Sequence, residues 1–211
     1  MKRILTTAFA LVLLTAGAAQ AQQWYIGAFG TASDLDDFDF GTALGTVKTT
    51  FDETTGLGIV VGREIGSVRI EGEWSMRYFD VEDHILAGAP LPGPTGDAES
   101  RSHMLNLYYD FNRDGRFQPY LGGGVGLVDV ELDGFGVAPI PDVLTDDDSG
   151  FAYQVMAGVG IALSDSWDLF VDLRMQMADG LEITASPSAG SVSSEFDWEV
   201  QDIALGLRYS F

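Results

Sequence analysis

From Val68 to Tyr78 the chain switches polarity at every position. Val68, Ile70, Gly72, Trp74, Met76 and Tyr78 form one set, and Arg69, Glu71, Glu73, Ser75 and Arg77 the other. Successive side chains of a strand point to opposite faces, so this segment reads as a strand with one apolar and one charged face. Soluble strands usually run to about 5–6 residues. A tilted strand that crosses a bilayer needs about 9–11, which this one has.

The pattern recurs in 167–177, 153–163, 103–111 and 203–211, and less cleanly in 23–30, 55–64 and 117–130. In the weaker three, Trp24, Ile26, Ala28, Leu57, Ile59, Val61, Leu121, Val125 and Leu127 are assigned outward. Glycine or charge interrupts every apolar run beyond the N-terminus. A membrane protein without such helices must close its strands on themselves, because lipid offers no partner for free backbone groups. The expected fold is all-β, an eight-stranded antiparallel up-and-down transmembrane barrel.

The connections agree. Short ones at Ile65–Ser67, Asn112–Arg116 and Ser164–Ser166 alternate with long ones at about 31–54, 80–100, 132–149 and 179–196. Outer-membrane barrels have short periplasmic turns and long external loops. Trp24, Tyr109, Phe111, Phe117, Trp167, Tyr209 and Phe211 fall at the short-turn ends, with Tyr78, Phe79, Phe151, Tyr153 and Trp198 toward the long loops. These are read as two interfacial girdles.

Lys2 and Arg3, an apolar stretch to Ala16 and the ending Ala19-Gln20-Ala21 have the layout of a cleaved signal peptide. Residues 1–21 are so assigned, and 22–211 form the barrel domain. The chain has no cysteine, which excludes disulfides and thiolate metal sites. Its net charge is -21, and a chain so acidic lacks the basic face that nucleic acid requires.

Three motifs resemble a known family. Gln23-Trp24-Tyr25-Ile26-Gly27-Ala28, Gln118 to Gly126 and Leu205-Gly206-Leu207-Arg208-Tyr209-Ser210-Phe211 are similar to the opening, fifth strand and ending of small outer-membrane barrels. That family includes the OmpA-like transmembrane domain and the opacity-type porin family. The resemblance implies the bacterial outer membrane as location, with its lipid and lipopolysaccharide as surroundings. It also implies that Leu205, Leu207, Tyr209 and Phe211 are the signal read by the barrel-insertion machinery.

Arg69, Glu71, Glu73, Arg77, Asp110, Asp168, Asp172, Arg174, Asp202 and Arg208 are assigned to the lumen. Eight strands leave room for side chains to fill the interior, so these charges read as a salt-bridged plug or as a narrow gated path. The long connections, with Asp129, Glu131 and Asp197 at the strand ends beside them, hold 22 of the 32 acids. They read as a solvated surface or as a place for diffuse divalent cations, which favour carboxylate oxygens. Ser102-His103 is the one pair suggestive of catalysis, but adjacent strand residues face opposite ways. No catalytic, cofactor or metal-binding residues are assigned. A structural or surface-antigen role is expected, with a narrow porin as the alternative and an enzyme third.

Overall fold

The computed structural model describes residues 23–42, 45–137, 140–185 and 192–211; the signal-peptide reading lies outside these. The elements are β1 (Trp24–Leu35), β2 (Phe38–Thr42), β3 (Gly45–Phe51), β4 (Thr54–Ile65), β5 (Val68–Leu86), β6 (Ala89–Pro90), β7 (Pro94–Asp110), β8 (Phe117–Val137), β9 (Ile140–Ala162), β10 (Trp167–Ala185) and β11 (Val192–Ser210). Eight of them close a ring in the order β4-β1-β11-β10-β9-β8-β7-β5, with β5 returning to β4. All pairings are antiparallel, and within the ring they join strands that follow one another among the eight, except that β1 meets β11 to shut the barrel; β3 pairs with β5 outside the ring.

The segments read as long loops are largely strand. β9 has 23 residues and β8 has 21, about 70–75 Å of strand at roughly 3.3 Å per residue. Even at a tilt of about 40° this rises far above an apolar band about 25 Å tall.

The polarity of the wall changes along these strands. Low on β8, Leu121, Val125 and Leu127 face out; higher up Val128, Val130 and Leu132 are buried while Asp129, Glu131 and Asp133 are exposed. On β11, Ile203, Leu205 and Leu207 face out, whereas Trp198 and Phe196 point in. Lipid meets the lower wall and water the upper wall, so the same two-residue period carries opposite chemistry. The upper part is called the crown below.

This inversion corrects the outer girdle. Tyr78, Phe151 and Tyr153 are exposed, but Phe79 and Trp198 are fully buried inside the barrel. Tyr78 and Phe79 are chain neighbours and therefore face opposite sides.

Inside, large aromatics lie on glycines directly opposite them. Tyr25 faces Gly62, Phe29 faces Gly58, Tyr108 faces Gly122 and Phe170 faces Gly206. A β-carbon on any of these glycines would overlap the facing ring. Gly62→Val is therefore expected to destabilise the barrel by about 1–3 kcal/mol through overpacking. Urea unfolding of protein refolded into vesicles measures this, and an unchanged midpoint would show that the Tyr25 ring has room to move.

Candidate functional site

Two stacked layers fill the barrel, the lower inside the lipid-facing wall and the upper inside the crown. The lower layer is polar. At the short-turn end Arg113, from the turn after β7, donates to the Gly66 carbonyl at 2.9 Å and pairs with Glu64. Arg69 binds both oxygens of Asp110 through its Nε, at 3.1 and 2.9 Å, with its guanidinium over the Tyr108 and Tyr120 rings. Tyr25 and Tyr108 donate to the two oxygens of Glu71 at 2.7 and 3.2 Å. Arg208 is surrounded by rings, 5.0 Å from the centre of Phe170 and within 6 Å of Tyr25 and Tyr120. Aromatic faces attract a cation at such distances.

Further up, Arg174 of β10 grips Asp172, with Nε 2.5 Å from Oδ1, and reaches across the lumen to Glu73 of β5 at 3.0 Å. β5 and β10 stand diametrically opposite in the ring. Tyr120 donates to Asp172 at 2.7 Å and Asn106 to Glu73 at 2.9 Å. A side-chain chain through Asn106, Gln154, Gln176 and Ser102 continues upward. Arg77 and Asp202 form a bidentate pair at 3.0 and 2.5 Å, and Ser33 donates to the same carboxylate. These groups are all buried. A buried charge is costly unless paired and hydrogen-bonded; each of these charges has an ionic partner, with only Glu73 Oε1 lacking a hydrogen bond, and the bonds tie opposite walls together.

The upper layer is apolar. Phe79, Val130, Leu132, Phe135, Leu181 and Trp198 belong to one buried cluster. The β2–β3 hairpin adds Phe38, Val47 and Phe51. Exposed residue pairs at Asp36–Asp37 and Asp52–Glu53 interrupt the strands at its base and shift the inward parity. Phe38 packs 4.9 Å from Phe196 and 5.2 Å from Phe51, centre to centre.

His84 fastens this cap. It is buried and packs on Phe135. Nε2 lies 3.1 Å from the Thr95 carbonyl and Nδ1 lies 2.9 Å from the Thr49 hydroxyl. A carbonyl can only accept, so Nε2 carries the proton and Thr49 donates to Nδ1. Burial lowers the His84 pKa from its ordinary value. Periodicity gave no hint of this role, because the partners lie on three different strands. Ser102 is buried and bonded to Gln176, while His103 faces outward on the other side of β7.

The crown's outer wall carries ladders of like charge. Asp80, Asp97 and Asp133 stand opposite one another across β5, β7 and β8; Glu99, Glu131 and Asp147 do so across β7, β8 and β9. Arg101 pairs with Glu99 at 2.5 Å and reaches Glu131 at 3.8 Å. No group of three possible ligands among the described residues is arranged to hold a metal ion. Like charges directly opposite in a sheet are destabilising. Partial burial, then the Asp133, Asp80 and Glu99 carboxylates, raise the Asp97 pKa above its ordinary value.

The sign follows from linkage. A carboxyl whose pKa rises on folding favours the fold when protonated, and that contribution is lost as pH climbs through the raised value. Acidification from neutral to about pH 4, near the ordinary carboxylate pKa, should therefore tighten β7 and β8 in the crown. Asp97→Asn should show that tightening already at neutral pH. Amide exchange comparing variant and parent at both pH values tests this; equal protection at neutral pH would contradict it.

Residues 6–211 match the family model described as the outer membrane protein beta-barrel domain. The chain belongs to this family. Its place is the bacterial outer membrane. Among curated relatives of this beta-barrel family, outer membrane protein PagN of Salmonella typhimurium is 29% identical over 141 residues. The match covers 62% of this chain and 58% of PagN, so this chain spans little more than half of that relative's length. Two solved barrels have the same fold. Neisserial surface protein A is 16% identical with a TM-score of 0.57, covering 91% of this chain and all of that one. AlkL, solved by solid-state NMR in lipid bilayers, is 17% identical with a TM-score of 0.57 and covers 94% of both chains. At these identities the likeness is one of fold.

Proposed function

We propose that this outer-membrane barrel neither conducts nor catalyses, and that it works through its crown as a surface antigen or adhesion-like contact element. The observation that carries this reading is the filled interior: cross-lumen ion pairs lie below a layer of packed aromatics. An ion path would have to open both. The charged lumen by itself favours the alternative, a narrow porin for small cations. The lumen residues Arg69, Glu71, Glu73, Arg77, Asp172, Arg174, Asp202 and Arg208 are then a plug that braces the wall. Against catalysis stands the separation of Ser102 and His103 onto opposite faces.

The proposal extends to partners. Divalent cations would bridge the carboxylate ladders to lipopolysaccharide phosphates, relieving the like-charge rows. Leu205, Leu207, Tyr209 and Phe211 face outward at the closing strand and would present the insertion machinery with an apolar edge.

Purified protein in planar bilayers should show no conductance steps; discrete steps would establish the porin instead. Cells displaying the protein should lose surface contact when Asp80, Asp97, Asp133, Glu99 and Glu131 become amides while gel mobility remains heat-modifiable. Unchanged contact would overturn the role given to the crown. Calcium titration without heat or gained crown protection would remove the cation bridge.

A further inference from the structure

The lipid-facing wall carries a groove, which Arg174 and Asp202 of the plug also line. It has a volume of about 790 Å³ and crosses five strands, from β8 through β9, β10 and β11 to β1. Leu121, Ala157, Leu173, Ile203 and Ala32, partners in register, form one bank. Val155, Met175, Gln201 and Asp34 form the other. Four strand spacings of about 4.8 Å make it about 19 Å long. The hydrocarbon of one leaflet is about 15 Å deep, half of the core. Because strands tilt about 35–45° in such barrels, a row across them rises obliquely and a single acyl chain laid along it stays within one leaflet.

The groove is mostly apolar along β8, β9 and β10, turns polar at Gln201 on β11 and ends at carboxylates. Asp34 and Glu53 both line it, side by side where the β1–β4 register runs out at Ser33 and Thr54. Among the described residues neither has a cationic partner; the nearby Lys48 is paired with Asp37 at 2.7 Å. Asp34 also borders a second depression of about 470 Å³, walled by Asp36, Asp37 and Lys48. A chain-sized slot thus opens into an acidic pocket at the level where the wall leaves the lipid.

We propose that this groove holds one acyl chain of a lipid whose headgroup carries a primary ammonium, with that ammonium against Asp34 and Glu53. The charge offsets two adjacent carboxylates, and its three N–H donors match their oxygens as a lysine ammonium would. A quaternary ammonium carries the same charge without the donors.

Electron paramagnetic resonance on the mature barrel in phosphatidylcholine bilayers tests this, with chain-spin-labelled phosphatidylethanolamine or phosphatidylcholine as probe. Labelled phosphatidylethanolamine should show a saturable immobilised population favoured about three- to fivefold, the size of a single surface ion pair. Asp34→Asn with Glu53→Gln should equalise the two lipids. Ala157→Phe with Ala32→Phe, which fills the groove, should remove the saturable population for both. Heat-modifiable mobility reports folding, and if the filled variant fails to fold the amide variant still decides. Equal immobilisation in the parent, or selectivity that survives the amide substitutions, overturns the proposal.

Discussion

Arg174→Met is expected to lower the unfolding free energy of the vesicle-refolded barrel by about 3–5 kcal/mol. The guanidinium is the shared partner of Asp172 and Glu73, and it spans the lumen between opposite strands. Methionine fills much of its volume but strands two buried carboxylates, and uncompensated buried charge is the expensive outcome. Adding Glu73→Gln and Asp172→Asn should recover most of the loss, because the two new amides keep hydrogen-bonding neighbours in Asn106 and Tyr120 and the methionine carries no charge to compensate. A urea midpoint unchanged in the single variant would mean that these charges contribute nothing to the wall. A triple variant no better than the single one would shift the cause from charge to packing.

Trp198→Ala is expected to cost a similar amount, about 3–5 kcal/mol, but in a different part of the molecule. Trp198 is fully buried, meets Phe79 edge to face at 5.8 Å, and stands opposite Ala178, whose small side chain makes room for it. Its loss opens a cavity in the apolar layer and leaves the ion-paired layer below untouched. Amide exchange should therefore speed up in the upper parts of β10 and β11 and around His84. The lipid-embedded parts should keep their protection, as local unfolding is graded across a structure. Uniform loss of protection along the whole length would contradict the division into two layers.

Much of the fold is legible because lipid and a polar lumen are unlike solvents. Within Val68–Tyr78 each position contrasts with its neighbours, so facing can be assigned without knowing any contact. The crown hid in plain sequence. Val128 to Asp133 alternates just as strictly, but with the polarity reversed, and from Leu132 on, beside Gly134 and the acids of 146–148, it reads as loop. Nothing local says that the outer solvent has changed from hydrocarbon to water. The composition of the lumen is legible from parity, whereas its pairing is not. Glu73 and Arg174 are 101 residues apart, and which charges meet depends on barrel diameter and register. Gly58 and Gly62 look like weak points of a strand; their use as seats for Phe29 and Tyr25 needs the facing strand to be known.

The absence of native cysteine permits one spin label at a time along β8, from Leu121 to Asp133, in the barrel refolded into bilayers. The inverted wall requires oxygen to reach labels at 121, 125 and 127. A water-soluble nickel complex should reach those at 129, 131 and 133. Neither should reach 128, 130 and 132. Nickel access at 128, 130 and 132 equal to that at their neighbours would show a hydrated loop in place of a sealed crown.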